Sequence, residues 1–136
     1  MANNPHFSVA SRNAMLDQIT SQIGSSGIFN IYQGDQPTDV SVAVSVGNAI
    51  MAAPTMTAGS AFAPATGGVI TANTITADSS AVGGTAIWFS ICQSDGTTRV
   101  VDGSIGTSGA DLNLNSVNVS TGASFSITAF TVTQAA

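Results

Sequence analysis

Lysine and glutamate are absent from this 136-residue chain, its two basic residues are Arg12 and Arg99, and its seven acidic residues are all aspartate. Nonspecific nucleic-acid affinity comes from several Lys or Arg contacts that release counterions, so a net charge of −5 with two arginines argues against phosphate-backbone binding. A single cysteine excludes an internal disulfide, and Cys92, on an apolar stretch, reads as a small buried hydrophobe. No run reaches the ~18 apolar residues of a membrane span. The opening MANNPHFSVASRNAML has neither a basic n-region nor a long apolar h-region, so synthesis in the cytosol is expected. Histidine chemistry would rest on His6 alone, whereas a catalytic triad needs a base held by a third group and a zinc site needs three or four ligands.

What fills the surface instead is Ser, Thr, Asn, Gly and Ala, residues that suit strands and turns better than helices. The scarcity of charge bears on assembly too. Sheet edges are normally guarded by Lys, Pro or inward charges, and this chain has few such guards. Its edges are therefore expected to be short, covered, or buried against other subunits in a homo-oligomer.

The length fits one domain, residues 1–136, large enough to fold without metal or disulfide. Its expected parts are an arm over 1–10, a helix over 11–24 and a β-sandwich over 27–136. Met15, Ile19 and Ile23 recur at helical spacing, with Ala14 and Leu16 flanking, Ser11 as N-cap and Gly24 as the stop. The narrow stripe could pack on the domain's own sheet or on a neighbouring subunit, and the first is favoured because small domains usually cover a sheet face that way.

From residue 28 the pattern changes to period two. Strands are expected at 28–32, at 40–46 where Val40, Val42, Val44 and Val46 alternate with small residues, and near 49–57, 69–77, 86–93, 98–105, 111–119 and 124–133. So many short strands favour an antiparallel sandwich or jelly roll, mainly β with one N-terminal helix. Phase slips near Ser116 and Ala129 predict bulges or bends where a strand turns from one face to another. The small-residue stretches 52–68 and 77–84 read as loops or small-residue strands.

The clearest local signal lies at 86–105. Asp95-Gly96 offers the φ > 0 pair of a two-residue type I′ turn. Counting outward sets Cys92 opposite Arg99, Ser90 opposite Val101 and Trp88 opposite Gly103, a bare glycine under an aromatic ring.

Candidate sites are weak. Asp111-Leu112-Asn113-Leu114-Asn115 resembles half a calcium loop, but Ser116 replaces the turn glycine and Gly122 stands where a bidentate Glu is needed. Gly103, Gly106 and Gly109 resemble a phosphate cradle, yet no Lys follows. Asp102 and Asp111 could act as paired carboxylates, although nothing in the spacing places them together. Asn118-Val119-Ser120 is a formal glycosylation acceptor with no secretion signal before it. No catalytic residue, cofactor or metal is expected.

Trp88-Phe89, then Ser94-Asp95-Gly96-Thr97-Thr98, then the run from Asp102-Gly103-Ser104-Ile105 through Gly106-Thr107-Ser108-Gly109-Ala110-Asp111-Leu112-Asn113-Leu114-Asn115 resemble a family of small β-rich structural proteins of tailed bacteriophages. The likeness extends to Ser11-Arg12-Asn13-Ala14, Leu16-Asp17, Ile31-Tyr32, Gly34, Gln36-Pro37, Gly68-Val69 and Ala72-Asn73. The chain departs from the family at Cys92, where a larger aliphatic residue is expected, and in its lack of basic residues. The resemblance implies a non-enzymatic virion protein, first a capsid decoration or cement protein whose partners are the major capsid protein or other virion proteins. Neck, tail or fibre-attachment components are the alternative, and a carbohydrate-binding adsorption module is a third reading that would require exposed aromatics.

Overall fold

The computed structural model describes residues 5–135. Ser8 opens the helix α1 (Val9–Ile23): it is extended, φ −61° and ψ 158°, and its side chain accepts a hydrogen bond from the Ser11 N–H at 3.1 Å. The helix thus begins two residues before the expected start, and the N-cap is Ser8 rather than Ser11, because Ser8 can reach the orphan N–H three residues on. Gly24, at φ +73°, ends it and returns its N–H to Thr20. The buried stripe is Leu16 and Ile23 with Ile19 partly covered, while Met15 stays exposed. Leu16, expected only to flank the stripe, is thus central to it. The helix packs on its own chain, against β4 (Val69–Thr71) and β8 (Arg99–Gly106). Its polar side chains also hold a turn: Asp17 accepts from the Ala65 N–H and Asn13 from the Gly68 N–H.

The chain is mainly β with this one N-terminal helix. The remaining strands are β1 (Ile28–Tyr32), β2 (Ile50–Ala52), β3 (Thr55–Met56), β5 (Ile75–Thr76), β6 (Gly84–Thr85), β7 (Trp88–Cys92), β9 (Leu112–Asn113), β10 (Asn118–Val119) and β11 (Thr131–Thr133). Seven of the eleven form one curled, half-barrel sheet in the order β5-β3-β1-β7-β8-β9, with β2 also on β1; β10-β6 and β11-β4 are separate pairs. The sheet is mixed, because β9 runs parallel to β8. The expected purely antiparallel pairing is thus broken at β9, and the strands form one large curled sheet with two small ones beside it.

Strands β1 and β7 are buried on both faces, which is why their sequences are nearly continuous apolar runs. Phe29, Ile31, Phe89 and Ile91 share one face, where Phe130 meets the Phe29 and Phe89 rings edge-on with centroids 5.2 and 5.3 Å away. Phe62 joins them, with Leu16 and Ile23 of the helix in the same core.

Both phase slips mark crossings. Residues on either side of Ser116 belong to different sheets, β9 to the large one and β10 to the pair with β6. Around Ala129, Phe125 and Ile127 are buried, then Thr128 and Ala129 are exposed before Phe130 turns in. The expected strand at 40–46 does not form. Asp39 folds back on this stretch, accepting from the Ser41 N–H with its carboxylate and from the Val42 N–H with its carbonyl, and Asn48 closes a second turn onto Ser45. Both sides of β1 are already taken, by β2 and β3 on one and β7 on the other, so the alternating valines find no vacant edge. They form a strap instead.

Edges are handled by brevity and cover. The terminal strands β5 and β9 have two residues each. The outer side of β2 is covered where the Val82 N–H donates to the Met51 carbonyl and the Ala53 N–H to Asp78.

Candidate functional site

The β7–β8 hairpin corrects three expectations at once. The Gln93 N–H donates to the Thr98 carbonyl and the Gly96 N–H to the Gln93 carbonyl, so the loop has four residues, 94–97, and Asp95 does not take the positive φ of a type I′ turn. Asp95 acts through its carboxylate, which accepts from the Thr97 and Thr98 N–H groups and the Thr98 hydroxyl. These bonds, the Thr98 hydroxyl foremost, hold its pKa down at about 2. Cys92 does face Arg99, but the register then shifts, leaving Val100 as an extra residue. Ser90 therefore pairs with Asp102 rather than Val101, and Trp88 with Ser104 rather than Gly103. Gly103 lies under Phe89 instead.

That shift assembles a polar face on the side of the sheet away from the phenylalanine core. Asn30, Ser90 and Asp102 align across β1, β7 and β8, flanked by Tyr32 and Trp88 on one side and Cys92 and Arg99 on the other. Asn30 donates to the Gly96 carbonyl at 2.9 Å, and the Ser90 hydroxyl lies 3.6 Å from the Cys92 sulfur. Tyr32 and Trp88 stack with centroids 4.1 Å apart and planes 10° apart, and the Arg99 guanidinium sits 5.9 Å from the centre of the Trp88 ring.

Arg99 joins this face to the strap. Its Nη1 meets Asp102 at 2.9 Å and its Nη2 donates to the Val40 and Val42 carbonyls. Above it opens a cleft of about 420 Å³ lined by Tyr32, segment 40–44, Ile50, Gly96, Thr97 and Arg99.

Electrostatics here oppose nucleophilic chemistry. Burial pushes the Cys92 thiol and the Tyr32 phenol up, which keeps both protonated near neutrality. Burial also raises Asp102, with the Ser90 hydroxyl and the Arg99 charge pulling it down and Asp39 pushing it up. Asp102 does not line the cleft, its Oδ1 has no hydrogen-bond partner, and neither has the Trp88 Nε1. The arrangement can rigidify a hairpin and hold a strap; it presents no base or thiolate to a bound molecule.

The other sequence candidates are occupied structurally. Asp111 accepts from the Ser104 N–H and hydroxyl, and Asn113 bonds both ways with the backbone of Ala110. Leu112 is buried, so this run is a half-buried strand and turn. Gly109, at φ +68°, is a turn residue, and Gly106 ends β8. Asp102 and Asp111 both line a smaller cleft beside β11, but one carboxylate is committed to Arg99 and the other to Ser104. Asn118 accepts from the Thr85 hydroxyl in β10. His6 is exposed, ahead of the helix. Among the described residues no group of three or more His, Cys, Asp or Glu could hold a metal ion, and no helix is long and apolar enough to cross a membrane. Sequence reasoning missed Arg99 as an anchor, because its partners are backbone carbonyls 57 and 59 residues away. Set against family models, curated proteins and solved structures, the chain matches none of them.

Proposed function

We propose that this chain is a non-enzymatic structural protein of a tailed-bacteriophage virion, a decoration or cement protein that binds the assembled head. The observation that carries the reading is the strap, where Val40, Val42 and Val46 are exposed on a surface almost free of charge. Exposed apolar groups without a charged rim suit a surface that is covered in use. The resemblance of the 88–115 region to phage structural proteins supports the same reading.

The mechanism is linkage. A protein that binds only the assembled shell stabilises that shell by mass action, against the pressure of packaged DNA. Its partners on this reading are the major capsid protein and further copies of itself, with nucleic acid and membrane playing no part. It is made in the host cytoplasm and resides in the virion. A sandwich-like arrangement, in which the small sheets close over the large mixed one, belongs to this proposal.

A neck, tail or fibre-attachment component is the second reading. A carbohydrate-binding module is disfavoured because Trp88 and Tyr32 are buried against each other rather than offered to a sugar. The test is a density reconstruction of the native particle with the copies of this chain counted. Hundreds on the shell are expected; one ring of about a dozen would make it a connector, as closed symmetry requires, and absence from particles would end the virion reading.

A further inference from the structure

Two sets of exposed apolar side chains lie on opposite faces of the large sheet. Leu16 and Ile23 seat α1 on the phenylalanine face, in one core with Phe29 and Phe89. The helix begins beside Gly68 and Gln134, where Asn13 accepts from the Gly68 N–H and Arg12 donates to the Gln134 carbonyl. Phe7 and Val9 are exposed at that end. The strap crosses the other face, where Arg99 ties it to Asp102 beside the Trp88 ring. There Val40, Val42 and Ile50, all exposed, line the cleft of about 420 Å³ together with Tyr32. The sheet and its side chains separate the two sets, so within one chain neither covers the other.

Phe7 has no task in its own helix. It precedes the N-cap Ser8, the position from which an apolar residue staples onto the fourth residue of a helix. That fourth residue is Arg12, so no apolar staple closes, and Phe7 is left 44 % exposed. The arm before the helix carries no acidic residue and neither does the first helical turn, so no carboxylate offsets the positive end of the helix dipole there. The cleft has the opposite sense. Asp39, next to Val40, is exposed and kept ionised by the Ser41 hydroxyl and N–H, while the Arg99 charge is matched by Asp102. A volume of about 420 Å³ lies within the roughly 300–1,000 Å³ of clefts that enclose a small molecule, room enough for a phenyl ring.

We infer that the arm of one copy, led by Phe7, docks in the strap cleft of a second copy. The ring would lie against Val40, Val42 and Ile50, and the positive end of the helix would approach Asp39. The contact joins two different surfaces, so it is head to tail: each pair keeps a free cleft at one end and a free arm at the other, and growth continues until a ring closes. This self-association does not depend on the virion reading, and it is measured on the isolated protein.

The test is sedimentation of the full chain over a concentration series, for the wild type, for Phe7→Asp, for Val42→Asp, and for an equimolar mixture of the two variants. Both side chains are exposed, an aspartate ahead of Ser8 favours the start of the helix, and Val42 is tied to the body of the molecule through its carbonyl, so each variant should keep the wild-type circular dichroism. The expected result is a wild type that associates as concentration rises, two variants that are each monomeric alone, and a dimer in their mixture, because one variant keeps its cleft and the other its arm. That rescue separates a head-to-tail contact from a patch that pairs with itself. A wild type that is monomeric at every concentration, an oligomer that survives either substitution, or a mixture that stays monomeric overturns the inference. Should Val42→Asp fail to fold, Ile50→Asp, in the same cleft, takes its place with the same expected outcomes.

Discussion

Gly103 lies directly across from Phe89, and a Cβ built at Gly103 would stand 2.4 Å from the Phe89 ring. Phe89 cannot retreat, because it is fully buried against Phe29 and Phe130. Gly103→Ala should therefore destabilise the fold by about 1–3 kcal/mol, the usual cost of overpacking. Combining it with Phe89→Leu should recover part of the loss relative to the sum of the single changes, as read by urea denaturation.

Trp88 is fully buried, between the stacked Tyr32 ring and Arg99. Trp88→Ala should cost about 3–5 kcal/mol. Trp88→Phe should cost much less, because the indole Nε1 has no hydrogen-bond partner to lose. Thermal unfolding checks both; an unchanged melting temperature for Trp88→Ala would remove Trp88 from the core.

Asp95 and Asp102, near the two ends of the hairpin's polar face, titrate in opposite senses. The Asp95 carboxyl is held down at about 2, so its stabilising bonds to Thr97 and Thr98 are complete above the ordinary carboxylate pKa of ~4 and are lost as pH falls toward 2. Asp102 is raised by burial, so the folded state holds its proton more tightly and this group opposes folding as pH rises above the ordinary carboxylate pKa of ~4 toward its raised value. Denaturation at a series of pH values should show Asp95→Ala less stable than wild type at neutrality, with the gap closing below about pH 2. A gap independent of pH would assign the effect to something other than the carboxylate.

The helix cap separates Ser8 from Ser11. Ser8→Ala removes the acceptor for the Ser11 N–H and should cost about 0.5–2 kcal/mol, whereas Ser11→Ala should cost a small fraction of that. Equal losses in thermal unfolding would return the cap to Ser11.

Arg99→Met should free the strap while leaving the phenylalanine core in place, since the lost bonds are those to Val40, Val42 and Asp102. Hydrogen exchange over residues 39–46 should accelerate, with β1 and β7 still protected. Lysine should not rescue it, because one ammonium cannot reproduce the planar fork that bridges a carboxylate and two carbonyls.

Apolar runs placed β1 and β7 within two residues, because those strands are buried on both faces, and the half-buried β8 was placed within one residue by the turn before it. The slips at Ser116 and Ala129 placed two crossings, since a change of phase is a change of face. The same reasoning failed at 40–46, where the pattern is strongest, because a strand also requires a free edge and β1 has none. It failed by one residue on β8, where Val100 bulges out and moves the glycine from Trp88 to Phe89. A bulge is invisible in composition.

Sequence alone determined that this chain is mainly β with one helix near its start and that its surface carries little charge. Those properties follow from local periodicity and from which side chains water accepts. Tertiary structure alone decided that Asn30, Ser90 and Asp102 share a face, that Arg99 ties a distant loop to that face, and that β9 runs parallel along the outer side of β8. Register, edge occupancy and contacts spanning nearly half the chain depend on which strands become neighbours, and no local pattern encodes that choice.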